Sequence, residues 1–287
     1  NTMTRSCFFG IEIDGVSWID KDSSSRIIEN SPASRNIKLV AGELVAVCGP
    51  TGSGKSALVH LLAGSDISSK KKVEIKGKIR IISDESGVLK KARCNKCWYS
   101  HVRLVPQNDM FIPSLKSKQL LKVSLKLQGR IYIGETCESL LNLMKINDSL
   151  STRSMAQFTR GTDIDYRGNL KKLAIVDAMT SRPHVLVVDE PAYFTDLHVL
   201  SDITRGLKTY ANSVNQSSWR CQNCNTHFSN ERSCVVFVLN SMFLALNHHD
   251  GILDRFDKII LLSMSRQIVF FGTLKEAVET LGRGSVS

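Results

Sequence analysis

The chain has 287 residues, a formal charge of +11, 42% apolar residues and 23% charged residues, proportions that suit a globular protein and exclude a disordered or collagen-like one. No apolar run reaches the roughly 20 residues of a membrane helix. Glu12, Asp14 and Asp20 break the opening apolar stretch where a secretory leader needs continuity, so a cytosolic chain is expected.

In chain order, Cys7 to Ile13 and Gly15 to Ile19 read as strand, and Asp20 to Ser25 as a polar turn. Asn36 to Val40 alternates, and Leu44 to Cys48 is a short apolar run of the buried parallel type. A glycine-rich loop follows, and Ser56 to Ala63 reads as helix. Val73 to Ile82 is expected as a strand pair broken at Gly77, and residues 83–101 as a long polar connection. Val102 to Val105 is another strand, leading to Gln107. From about 114 to 181 the apolar spacing is mostly helical, closed by Ser181, Arg182 and Pro183. Val185 to Val188, Val235 to Leu239, Ile259 to Leu262 and Gln267 to Phe271 complete the strands. Strands alternating with helices predict an α/β layered domain.

The loop Gly49-Pro50-Thr51-Gly52-Ser53-Gly54-Lys55-Ser56 matches G-x-x-x-x-G-K-[ST] in the strand–loop–helix setting that this motif requires. Glycines let backbone N–H groups converge on phosphate oxygens, and the helix N-terminus adds partial positive charge. The nucleotide-binding set is expected to run from Gly49 to Ala57, with Lys55 reaching the β- and γ-phosphates of ATP and the Ser56 hydroxyl ligating magnesium. Asp189 and Glu190 end an apolar strand. One carboxylate near the metal and another near the γ-phosphate fit phosphoryl transfer to water, with Asp189 on magnesium and Glu190 positioning or deprotonating the water.

From about residue 8 to 282 the chain resembles the nucleotide-binding domains of ATP-binding-cassette (ABC) proteins. Gly49 to Ser56 corresponds to Walker A, and Val185 to Glu190 to Walker B with its following glutamate. Val105, Pro106 and Gln107 look like the Q-loop, whose glutamine senses magnesium. Tyr193 to Asp196 falls where the family has its D-loop, and Phe256 to Leu262 and Val269 to Thr273 resemble its last core strands. Trp18 lies near the aromatic residue that stacks on adenine in this family, with a buried core position as the alternative. The resemblance implies a single cassette over 1–287: a P-loop NTPase with a mostly parallel core sheet, an antiparallel β subdomain and a helical subdomain at about 114–181. Residues 211–233 look like an insertion.

Two departures bear on mechanism. Where the family carries LSGGQ, this chain reads Asp165, Tyr166, Arg167, Gly168, Asn169, and Asn240 stands where the family has its switch histidine. Asparagine can hydrogen-bond a phosphate but cannot share a proton near neutral pH. The resemblance therefore implies weak turnover alone and pairing with a second nucleotide-binding domain whose signature is intact, as in asymmetric exporters. The transmembrane domains of the same transporter would be further partners, placing the chain on the cytoplasmic face of a membrane. Leu44 to Pro50 and Asp196 to Val199 lean toward the first domain of C-type (multidrug-resistance-associated) transporters. Phe270, Phe271 and Gly272 also suit the G-type.

Eight cysteines in a cytosolic chain argue against a disulfide framework. Cys94 with Cys97 and Cys221 with Cys224 have the knuckle spacing of structural zinc. In the family's strand order the strands after them flank the Walker B strand, roughly 10 Å apart at about 4.8 Å per step. Either the four cysteines share one zinc or they are reduced surface thiols. The positive excess, partly local to Lys70 to Lys78 and Lys90 to Arg93, reads as a solvated basic face. A soluble ABC ATPase acting on nucleic acid or ribosomes would use it, but nucleic acid is not the expected partner. A regulator that binds nucleotide without turnover is the third reading.

Overall fold

The computed structural model describes residues 6–7, 10–20, 26–30, 36–64, 73–82, 90–92, 98–108, 111, 114–146, 164–190, 197–214, 217–220, 227–230, 232–240 and 251–283. Five strands make its parallel centre: β5 (Leu44–Gly49), β8 (Val102–Val105), β9 (Val185–Val188), β12 (Cys234–Asn240) and β13 (Lys258–Leu262). They lie in the order β13-β5-β12-β9-β8, each parallel to its neighbours.

β5, β9 and the body of β12 are continuous apolar runs because both faces are covered. Leu44, Ala46, Cys48, Leu186, Val188, Val235, Phe237 and Leu239 enter one core cluster. The alternate residues Val45, Val47, Val185, Val187, Cys234, Val236 and Val238 enter the other, as the two-residue side-chain period of a strand dictates. The first cluster meets α3 (Ser117–Leu127), α4 (Gly134–Leu143), α5 (Ile164–Thr180) and α6 (Leu197–Asn212) through residues such as Leu121, Leu141, Ile175 and Ile203. The second meets α1 (Lys55–Ala63) through Leu58 and Leu62, and the antiparallel part of the sheet through Ile11, Ile13, Ile28 and Ile37.

That antiparallel part centres on β2 (Gly10–Asp20), which pairs with β3 (Arg26–Asn30), β4 (Asn36–Val40) and β6 (Val73–Ile82). At its edge, β7 (Lys90–Ala92) pairs with β6. The join to the centre is β14 (Gln267–Gly272), antiparallel to β13 and parallel to β3. The helix α7 (Leu274–Arg283) follows. This is the ABC ATPase fold with its mixed sheet and helices.

Two local expectations change. β6 is one strand and not a broken pair. At Gly77 (φ 88°) an added Cβ would stand 2.5 Å from the Gly15 carbonyl oxygen, so glycine absorbs a register shift between Asp14 and Ser17. Within 83–101 the structure has β7 and a helical turn, α2 (Trp98–His101). Trp98 is buried there and donates its indole N–H to Leu62 O at 2.7 Å. Within 211–233 the structure has two antiparallel strands, β10 (Ser217–Arg220) and β11 (His227–Asn230), and β11 also pairs with β1 (Ser6–Cys7) in a separate small sheet.

Candidate active site

The site lies at the carboxyl ends of β5, β8, β9 and β12, where the parallel strands deliver their following loops to one edge. β5 ends at Gly49, whose missing side chain is a packing requirement: a Cβ would stand 2.7 Å from Ser53 Oγ and 2.8 Å from Leu262 O. Gly52 (φ 84°) and Gly54 (φ 95°) supply the left-handed turns that L side chains resist. Gly54 caps α1, with Leu58 N donating to its carbonyl at 3.0 Å. No atom lies within 4 Å of a Cβ built on Gly52, so the loop opens to space above it. Ser53 Oγ is buried and has no partner among the described residues. A backbone cradle with open space and a spare hydroxyl suits phosphate oxygens.

Lys55 is buried, and its ammonium donates to Gly49 O and Pro50 O, both at 3.0 Å. It also lies 3.5 Å from Glu190 Oε1. The Ser56 hydroxyl donates to Asp189 Oδ1 at 3.4 Å across 133 residues of sequence. Gln107 Nε2 donates to Glu190 Oε2 at 3.0 Å. Burial first, and then the neighbouring Glu190 charge, push the Asp189 carboxyl above the usual aspartate range, while the Ser56 hydroxyl partly opposes them. An acid held this way gains from a cation placed beside it. Ser56, Asp189 and Gln107 offer the hard oxygen donors that magnesium takes, so the residues present fit that metal. Glu190 has φ 35°, a left-handed conformation uncommon outside glycine and typical of functional turns.

The structure thus gathers Gly49, Pro50, Gly52, Ser53, Gly54, Lys55, Ser56, Gln107, Asp189 and Glu190. Thr51 is exposed on the loop, and Ala57 is half-buried against the second core cluster. Asn240 pairs in register with Gly49, which sets its backbone beside the loop; its side chain lies outside the described part. Trp18 does not join them. It sits on β2 opposite Ile28 and Ile75 at 3% exposure, the buried position left open as the alternative to stacking on adenine.

Gly168 and Asn169 fall in the first turns of α5. A Cβ on Gly168 would stand 2.7 Å from Val199 Cγ1, so glycine here is required for packing α5 on α6. The side chains of Asp165, Tyr166 and Arg167, the D-loop positions 193–196, and Cys94, Cys97, Cys221 and Cys224 lie outside the described residues. Among the described residues no group of three or more His, Cys, Asp or Glu could hold a metal. The strands that follow the cysteine pairs, β8 and β12, do flank β9.

Sequence reasoning missed Lys171. It is buried on α5, and its ammonium donates to Pro106 O at 2.7 Å and Gln107 O at 3.1 Å, tying α5 to the loop after β8. A lysine inside the apolar pattern of Leu170, Leu173 and Ala174 was the available signal.

Comparison with known proteins agrees with this geometry. A family profile described as "ABC transporter" matches residues 33–193, more than half of the chain. The phosphonates import ATP-binding protein PhnC of Pseudomonas putida is 31% identical over 174 residues, 58% of this chain and 60% of that protein. The lipoprotein-releasing system ATP-binding protein LolD 1 of Chlorobium chlorochromatii is 24% identical over 60% of this chain and 65% of its own length. The matched part thus spans less than two thirds of each relative. The dimeric bacterial ABC transporter cassette MJ0796 superposes with a TM-score of 0.60 at 16% identity, covering 92% of this chain and 98% of that one. A bacterial Atm1-family ABC exporter with ATP bound gives 0.63 at 13% identity, over 99% of this chain and 43% of the exporter.

Proposed function

Since the chain belongs to the ABC transporter family, we propose that it binds and hydrolyses ATP to power transport across a membrane, paired with a second cassette that supplies an intact signature. The observation that carries this reading is the Lys55–Glu190–Gln107 contact beside the Ser56–Asp189 pair. It joins a phosphate-binding lysine to the carboxylate placed for water. On ATP binding, Lys55 exchanges the carbonyls of Gly49 and Pro50, and Glu190 itself, for β- and γ-phosphate oxygens. Glu190 is then released to position the attacking water, held in line by the Gln107 amide. Ser56, Asp189 and Gln107 would hold magnesium. Bound there, it supplies neutralising charge to the phosphate oxygens.

The pairing follows from the altered residues at 165–169 and from Asn240. A homodimer would close each phosphate loop with a degenerate signature, whereas a partner cassette would complete one strong site and leave the other as a clamp. Leu44 to Pro50 and Asp196 to Val199 support the C-type subfamily over the G-type, with the chain at the cytoplasmic face beside the transport domains. No helix among the described residues is long and apolar enough to cross a membrane, so those domains would be separate segments. A structural zinc on the four cysteines is a further part of the reading. Metal analysis of protein purified without chelators, finding no zinc, would remove it.

The direct test measures ATP binding and turnover by the chain alone and mixed with an intact-signature cassette. Binding alone, turnover only with the partner, and a loss of about a hundredfold or more in Glu190→Gln with ATP still bound are expected. Brisk turnover by the chain alone would sink the pairing and bring forward a soluble ATPase. Binding with no turnover beside any partner would point to a nucleotide-dependent regulator.

A further inference from the structure

A second cavity lies at the end of α5 remote from Gly168. It has a volume of about 270 Å³ and opens between the end of α3, the connection 130–133, the first turn of α4 and the last residues of α5. Leu125, Ile131, Ile133 and Cys137 form its apolar walls, and Arg130 and Arg182 supply its charge. None of these residues belongs to the nucleotide site.

The charge there is not balanced. Burial first, and then the nearby Arg103 and Arg182 guanidiniums, hold Arg130 below the usual arginine range, with Tyr210 opposing. Arg103 is turned toward other partners: it donates to Ser181 Oγ at 3.1 Å, and Asp177 faces it. Of the acids beside the cavity, Glu138 pairs with Lys118 at 3.0 Å. Among the described residues no carboxylate pairs with Arg130 or Arg182. Two half-buried guanidiniums that repel each other are an arrangement that an anion completes. The exposed Lys122 and Lys126 on α3 add to the attractive field.

One more observation points to a ligand that is not a bare ion. Ile131 is 86% exposed and Ile133 52% exposed at the mouth, so large apolar side chains stand in water directly beside the arginines. Arg182 ends α5 in a left-handed conformation (φ 46°), its N–H donating to Met179 O at 2.9 Å, which fixes where its side chain leaves the backbone. The volume is close to the lower bound for pockets that take small organic ligands.

We propose that this cavity binds a small amphiphilic anion, with a carboxylate or phosphate monoester head on Arg130 and Arg182 and a short apolar body against Leu125, Ile131 and Ile133. The head could belong to a free molecule or to a membrane lipid.

The test is titration calorimetry of octanoate and octyl phosphate into the full chain, with octanol, acetate and inorganic phosphate as controls. Saturable one-to-one binding of both amphiphiles is expected, at least about tenfold tighter than each control. The doubly substituted Arg130→Gln, Arg182→Gln chain should weaken binding at least about tenfold while ATP binding and the thermal midpoint hold. Should that chain fail to fold, Ile133→Trp narrows the mouth, keeps both arginines and should likewise weaken the amphiphiles. Arginine-dependent cosedimentation with vesicles of phosphatidylglycerol in phosphatidylcholine would identify a lipid head. Binding of the soluble probes without the vesicles would identify a free anion. The proposal is overturned if neither amphiphile saturates at millimolar concentration, if octanol binds as tightly, or if the substitutions leave affinity unchanged. It is equally overturned if an acidic peptide binds where both amphiphiles fail.

Discussion

Both ends of the parallel strands β8, β9 and β12 bury polar groups, and they handle them in opposite ways. At the carboxyl ends, Lys55, Ser56, Asp189, Glu190 and Gln107 form a chain of contacts between 3.0 and 3.5 Å, in which each partner can be exchanged for phosphate, metal or water. At the amino ends of β8, β9 and β12 the most deeply buried polar side chains, His101, His184 and Ser233, are neutral and bonded within the fold. His101 Nδ1 and His184 Nδ1 lie 3.1 Å apart, His184 N donates to His101 O at 2.8 Å, and Ser233 Oγ donates to Pro183 O at 2.6 Å. The strands β8, β9 and β12 therefore have a charged, rearrangeable carboxyl end and a buried, neutral amino end. A site that must trade partners during turnover keeps charge; an edge that only joins strands excludes it, because an uncompensated buried charge costs several kcal/mol.

The sharpest way to break this comparison is to charge the neutral end. Burial pushes His101 down to about 4, and burial with His101 and Arg130 pushes His184 down to about 3. Both are neutral when folded, whereas in the unfolded chain they titrate near pH 6.5. As the pH falls below about 6.5, only the unfolded chain takes up protons, so stability is lost toward pH 4 and 3. The loss should reach about 4 kcal/mol by pH 5, roughly half from each histidine. Urea unfolding between pH 7.5 and 5 should show that slope reduced by about half in His184→Gln, and an unchanged slope would contradict the neutral-end reading.

A smaller effect is expected at Lys171, the buried ammonium between the carbonyls of Pro106 and Gln107. Lys171→Met should cost about 1–3 kcal/mol in the urea midpoint and lower kcat more than it raises KM for ATP. If kcat were spared, Lys171 would serve the fold alone. The smallest effect has the opposite sign. The Asp189 carboxyl is raised by burial and by Glu190, so its charged form is a cost to the folded chain once the pH exceeds its folded value. Asp189→Asn should therefore raise the thermal midpoint slightly near neutral pH while weakening magnesium-dependent ATP binding. The gain should fade as the pH drops through the usual aspartate range, where both states are protonated.

Glycine-rich loop, buried parallel strands and the Asp189–Glu190 strand end were all legible from the chain alone, because each is written in local residue type and spacing. Period and burial coincide: Leu44 to Cys48 and Val185 to Val188 read as apolar runs because both sheet faces are covered. The sequence by itself also placed Gln107 near the site, through its resemblance to a known loop. Tertiary structure alone decided the rest, since those contacts join residues far apart in sequence. It put Trp18 in the core, set Trp98 across Leu62 and Gly64, and bound Lys171 to a loop 64 and 65 residues away. It also gave Gly168 a packing role against Val199. Local spacing cannot register such contacts, because the partner that makes a glycine necessary or a lysine buried is delivered only when the sheet has assembled.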